Sequence, residues 1–131
     1  MRFAEKVAII TAAASGIGRA SAGIIAQQGG TVIAVDTDEQ RLENMSSEFS
    51  GSTGRVLTYC IDATDEKAVK RTLLKISENN KKVDILINAV GGSTIIDNPK
   101  ARVDELVLTD WQKIINFNLN SMFIFTTLIV P

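Results

Sequence analysis

The chain is 131 residues long, enough for one domain and too short for a second core of ordinary size. Apolar residues make up 45% and charged residues 22%, close to the average for a soluble globular chain. Fourteen basic against fifteen acidic residues give a net charge of −1, without the basic surplus that nucleic acid or an anionic membrane would attract.

The first element is predicted at Val7–Thr11, a continuous apolar run (VAIIT). A glycine-containing turn follows, then a helix over 16–29 with Ile17, Ala20, Ile24 and Ile25 at helical spacing, stopped by Gly29 and Gly30. A second run, Thr31–Asp36, leads to a polar helix over 38–49, for which Thr37 and Gln40 have the spacing of a capping box. Arg55–Cys60 is the third strand. The helix after it, 65–80, sets Val69, Leu73 and Ile76 on one face and charges on the other. Asp84–Ala89 is the fourth strand, and Asp97, Lys100, Arg102, Asp104 and Glu105 make a charged, solvated loop behind it. A last helix is expected from about Asp110 to the end, with Thr109 and Gln112 as its capping box. Trp111, Ile115, Met122, Phe125 and Ile129 should line one of its faces and Ile114, Phe117, Ile124 and Leu128 another. A helix apolar on two faces needs two partners, and with no capping glycine, basic last turn or following strand at Pro131 the chain reads as interrupted.

Strands that are apolar throughout are buried on both faces, as in a parallel sheet. Alternation with helices argues βαβ units, hence a doubly wound α/β sheet of three layers, Rossmann-like, over residues 1–131. A receiver domain of phosphotransfer signalling has a similar length but requires clustered acids after strand one, where Ala12, Ala13 and Ala14 stand.

The chemistry is expected at the first turn. Thr11-Ala12-Ala13-Ala14-Ser15-Gly16-Ile17-Gly18 runs from strand into helix, and such a turn brings backbone N–H groups and a positive helix end against a pyrophosphate. Gly16 and Gly18 permit close approach of the backbone. Strand two ends in Asp36, placed to accept hydrogen bonds from adenosine ribose hydroxyls. That carboxylate repels a 2′-phosphate, and neither Ser15 nor Thr37 is a base that could compensate, so NAD is the expected cofactor over NADP. Histidine is absent, which removes imidazole bases, Ser/His and Cys/His nucleophiles and His-containing metal sites. The single cysteine, Cys60, reads as core and permits no internal disulfide, consistent with a reducing interior. Residues 1–15 hold no signal-peptide h-region. The apolar stretch Leu119–Val130 is too short to span a membrane. A cytoplasmic location is expected.

The chain resembles the short-chain dehydrogenase/reductase family along its whole length. Thr11-x-x-x-Ser15-Gly16-Ile17-Gly18 is similar to that family's glycine fingerprint, with Ala12 where the first glycine usually stands. Asp62-Ala63 matches its acid after strand three, which the resemblance assigns to the adenine ring. Asn88-Ala89-Val90-Gly91 matches its stretch after strand four, with Ala89 replacing a second asparagine. Asn118 falls at its active-site asparagine in the fifth helix. The resemblance implies hydride transfer between nicotinamide and an alcohol or ketone, with Asn118 holding a water in the proton path. Ala12, Ser15, Gly16, Ile17, Gly18, Asp36, Asp62, Ala63 and Asn88 would bind cofactor, and the last helix would form a homo-oligomer.

The family's Tyr-x-x-x-Lys pair has no counterpart, because the one tyrosine, Tyr59, is followed four places on by Ala63. Tyr59, Phe3, Phe49 and Trp111 read as packing residues. The other expectation is therefore an inactive module that binds the cofactor without turnover, or a fragment that interferes with the dimer of a longer relative.

Overall fold

The computed structural model of the chain describes residues 1–80 and 82–130. Its centre is a parallel sheet of β1 (Val7–Thr11), β2 (Thr31–Asp36), β3 (Arg55–Cys60) and β4 (Ile85–Ile87), in the order β3-β2-β1-β4. β1 and β2 are buried almost throughout, as continuous apolar runs require. β4 is shorter than the expected Asp84–Ala89 because only Ile85, Leu86 and Ile87 find partners, at Ala8, Ile9 and Ile10 of β1. Chain order runs outward from β1 to β3 and then reverses to β4. The switch point therefore lies between β1 and β4, where ligands of open α/β sheets bind beyond the strand ends.

Helices cover both faces, giving the expected three layers. On one side, α1 (Gly16–Gln27) and α2 (Glu39–Glu48) pack Ala22, Ile25, Ala26, Leu42 and Met45 against Ala8, Ile10, Val32 and Ala34. On the other, α3 (Glu66–Asn79) brings Val69 and Ile76 to Ile9, Ile33 and Val35. The stripe expected for α1 is corrected: Ile17 and Ile24 point to solvent, and the buried positions are Gly18, Ala22, Gly23, Ile25 and Ala26. That set also has helical spacing, and its small residues let the helix approach the sheet closely.

The caps also differ from the sequence reading. α2 is capped by Asp38, whose carboxylate accepts from the Arg41 N–H at 3.0 Å, so the Thr37–Gln40 box does not form. Asp65 caps α3 through the Ala68 N–H in the same way. The last helical run begins earlier than expected, with α4 at Leu108–Ile115, because the Val107 carbonyl already accepts from Asp110 and Trp111. Thr109 thus lies inside the helix and caps nothing.

That run is not one uniform helix. A π-helical turn, Asn116–Asn120, separates α4 from α5 (Ser121–Ile129). A π turn inserts an extra residue and rotates everything after it, which breaks the two expected stripes. Phe125 and Ile129 join Ile124 and Leu128 against the sheet and α3, whereas Trp111, Leu119, Met122 and Phe123 face outward. Trp111 is therefore no packing anchor. The expected continuation to Pro131 lies outside the described residues. Cys60 is likewise exposed at the end of β3 and not in the core; its thiol lies 3.5 Å from the Thr37 carbonyl. Phe3 and Phe49 do pack against the α1 side, and Tyr59 against the α3 side.

Candidate functional site

The β1–α1 turn holds a backbone that few sequences tolerate. Ala12 has φ +48° and Gly16 φ +50°, both in the left-handed region. At Gly16 this suits glycine; at Ala12 the methyl group makes it costly by about 1 kcal/mol. A Cβ on Gly18 would lie 2.2 Å from the Ala12 carbonyl oxygen, so only glycine allows the helix to start this close to the turn. At Gly16 the same construction meets nothing within 4 Å, which leaves the outer face of the turn open.

Ser15 is the N-cap of α1, extended at φ −148° and ψ 166°, yet its hydroxyl makes no capping bond. The first N–H groups of the helix are thus not satisfied by the Ser15 side chain. Asp36 sits beside this turn. Its Oδ2 accepts from the Ala14 N–H at 3.0 Å, and Oδ1 from Thr37 at 2.8 Å and Asp38 at 3.1 Å. Turn and acid are held together by that Ala14 bond.

Asp36, Asp62, Ala63 and Ala12 line one small cavity of about 60 Å³ with Val90 and Phe117. Asp62 is committed on one side: Oδ1 accepts from both the N–H and the hydroxyl of Thr64, at 2.8 and 2.7 Å. Oδ2 takes no hydrogen bond among the described residues. Asn88 points elsewhere, its amide donating to Thr126 Oγ1 on α5 at 3.3 Å. Thr11, buried at the end of β1, accepts from the N–H groups of Ala89 and Val90 at 3.0 and 3.4 Å. It ties the segment after β4 into the sheet, where Ala89 offers no side-chain contact.

Asn118 lies in the π turn. Its Nδ2 donates to the carbonyls of Gly92 and Ile114, each at 2.8 Å, and its Oδ1 accepts from the Gly92 N–H at 2.8 Å. Both amide protons are used, and one acceptor position on Oδ1 is left. Gly92, at φ +131°, needs glycine and was not singled out by sequence reading, although a Gly-Gly pair after a strand was the available signal. Also missed were Arg19, Arg41 and Asn44, which line a cavity of about 330 Å³ together with Ala14, Ser15 and Gly16.

The arrangement of strand, open glycine turn and acid is the geometry expected of a dinucleotide site, and the family model for short chain dehydrogenases matches residues 6–131. The chain belongs to the short chain dehydrogenase family. It is 37% identical over 131 residues to the 3-oxoacyl-acyl-carrier-protein reductase FabG of Thermotoga maritima, covering all of this chain and 51% of that protein. Among solved structures, carveol dehydrogenase from Mycobacterium avium, in complex with NAD, superimposes with a TM-score of 0.88 at 26% identity, covering 99% of this chain and 50% of that one. A metagenomic short-chain oxidoreductase in complex with NADP shares the fold with the same TM-score at 20% identity, over 100% of this chain and 57% of that one. The chain spans about half the length of the curated relatives it matches. This oxidoreductase family uses nicotinamide cofactors, and the neighbours include complexes of both NAD and NADP. Among the described residues no helix is long and apolar enough to cross a membrane.

Proposed function

We propose that this chain is the dinucleotide-binding domain, residues 1–131, of an NAD-dependent short-chain dehydrogenase acting on a small alcohol or ketone. The observation that carries the reading is the Ala14 N–H to Asp36 Oδ2 bond, which brings an uncapped helix N-terminus and a ribose-binding acid to one corner. The residues fit a dinucleotide: Ser15, Gly16, Ile17 and Gly18 face a pyrophosphate with backbone N–H groups, and Ala12 shapes the turn. Asp36 accepts from the adenosine ribose. Asp62, through Oδ2, and Ala63 border the adenine. Asn88 contributes from the end of β4 through its backbone, since its side chain is turned to α5.

The cofactor, when bound, supplies hydride exchange with a carbonyl or alcohol carbon. Asn118 is a positioning residue, fixing the π turn to Gly92 and keeping one acceptor position for a water. The outward face of Trp111, Leu119, Met122 and Phe123 supports assembly into a homo-oligomer, and the cell interior is the proposed location. The 131 residues contain no Tyr-x-x-x-Lys pair, so by themselves they are expected to bind NAD without turning over an alcohol. Titration calorimetry tests the reading: Asp36→Ala should weaken NAD binding about tenfold and narrow the gap between NAD and NADP. An unchanged preference would remove Asp36 from the ribose site.

A further inference from the structure

We propose that the groove between α3 and α5, with the cationic outer face of α3 as its lip, is a docking surface for an acidic amphipathic helix of a partner protein. The inference goes beyond the nucleotide-binding reading and does not depend on it.

The charge on α3 is the first observation. Lys67, Lys70, Arg71 and Lys75 share its outward face, and Leu74, 60% exposed, stands among them. None of these four cations joins an ion pair among the described residues, whereas Lys6, Arg19, Arg41, Lys82, Arg102 and Lys113 each hold a carboxylate. Positive charge thus gathers on one face of a chain whose net charge is −1.

The second observation is a cavity of about 210 Å³ beside that face, between α3 and α5. Leu73, Ile76, Val83, Leu128 and Ile129 form its apolar walls, and Ser77 lies on its α3 side. Lys70, Leu74 and Ser77 follow one another at i, i+4 and i+7, so the cationic face runs into the lip of the cavity. On the far rim Lys82 is already held by Asp84 at 2.9 Å. Among the described residues, the unpaired positive charge beside the cavity therefore lies on α3. The cavity shares no lining residue with those of the nucleotide corner.

An amphipathic helix matches both features at once. Its carboxylates, repeating at i, i+3 and i+4, can meet Lys67, Lys70, Arg71 and Lys75 while an aliphatic side chain from its other flank enters the cavity. Exposed ion pairs are individually weak, so the buried anchor is needed beside them. Glu66 and Glu78 bracket the cationic stretch, which suits a short acidic element. A nucleic-acid backbone or an anionic membrane would extend past both carboxylates and be repelled there.

The test follows amide resonances of the labelled chain during titration with a helical peptide of about four turns, built from Leu-Glu-Glu-Leu-Leu-Glu-Glu repeats, and with its lysine counterpart. We expect saturable shifts at Lys70, Leu73, Leu74 and Ser77 with the glutamate peptide, a Kd below about 1 mM, and no such shifts with the lysine peptide. Replacing the peptide's leucines by alanine should weaken binding about tenfold. The double variant Lys70→Glu, Lys75→Glu changes exposed residues only and should keep the dispersed spectrum of the folded chain. It should lose at least about tenfold for the glutamate peptide and gain binding of the lysine peptide, an exchange that a merely structural role would not produce. Absence of saturable shifts with the glutamate peptide overturns the proposal, as does binding that the charge reversal leaves unchanged. Binding of phosphatidylserine vesicles or duplex DNA as tightly as the peptide at the same salt overturns it too, by making α3 a general polyanion surface. Self-association of the chain that the reversal abolishes would seat a second copy in the groove and equally overturn it.

Discussion

Asn118 and Gly92 are joined at both ends: the Gly92 N–H donates to Asn118 Oδ1 and the Gly92 carbonyl accepts from Asn118 Nδ2, each at 2.8 Å. The pairing is possible because Gly92 adopts φ +131° and because the π turn at Asn116–Asn120 brings Asn118 towards the segment after β4. One side chain thereby ties the segment after the edge strand β4 to an irregular helix. Asn118→Leu keeps the volume and removes three hydrogen bonds, and should cost about 1–3 kcal/mol in urea unfolding. A change below about 0.5 kcal/mol would show the pair to be incidental.

Ala12 and Gly18 make a second pair with opposite expectations. Ala12→Gly relieves a left-handed alanine, and part of that gain returns as unfolded-state entropy, leaving a net stabilisation of up to about 0.5 kcal/mol. Gly18→Ala drives a Cβ to 2.2 Å from the Ala12 carbonyl oxygen and should cost at least about 2 kcal/mol. Thermal melts of both variants read the two signs directly; a destabilised Ala12→Gly would contradict the strain at that turn.

At the opposite end of β4, Asp84 pins the strand. Hydrogen bonds from Lys82 at 2.9 Å and from the Val7 N–H at 2.9 Å, with Lys6 at 3.3 Å, lower its carboxyl from the ordinary 3.8 to about 2. A lowered acid stabilises the folded chain above its unfolded pKa, and that contribution is lost as pH falls through the folded value. The stability difference between the chain and Asp84→Asn should therefore be constant above about pH 5 and shrink as pH falls through 3.8 towards about 2. A difference that grows on acidification would give the wrong sign for this pin.

The fold was largely legible in the sequence because the apolar runs are short, rich in β-branched residues and separated by segments of helical length, which marks them as buried strands. β1, β2 and β3 fall where VAIIT, TVIAVD and RVLTYC place them. The ends of elements were harder. Thr37 and Asp38 are both good caps, and only the backbone decides which one precedes the first helical turn. The π turn has no compositional signature, so the faces of the last helix were misassigned after Asn116. The glycine turn and Asp36 of the proposed nucleotide corner were legible in the sequence. Arg41 was not, because its relation to Ser15 and Gly16 is made by packing α2 beside α1 and not by proximity along the chain.

The central claim is that a dinucleotide occupies the corner of the β1–α1 turn and Asp36, and amide NMR of the labelled chain titrated with NAD tests it most directly. The amide resonances of Ser15, Gly16, Ile17 and Gly18 should move together with those of Ala14, Asp36 and Thr37, saturating with one affinity. Saturable shifts confined to other parts of the chain, with the Gly16–Gly18 amides unmoved, would contradict it.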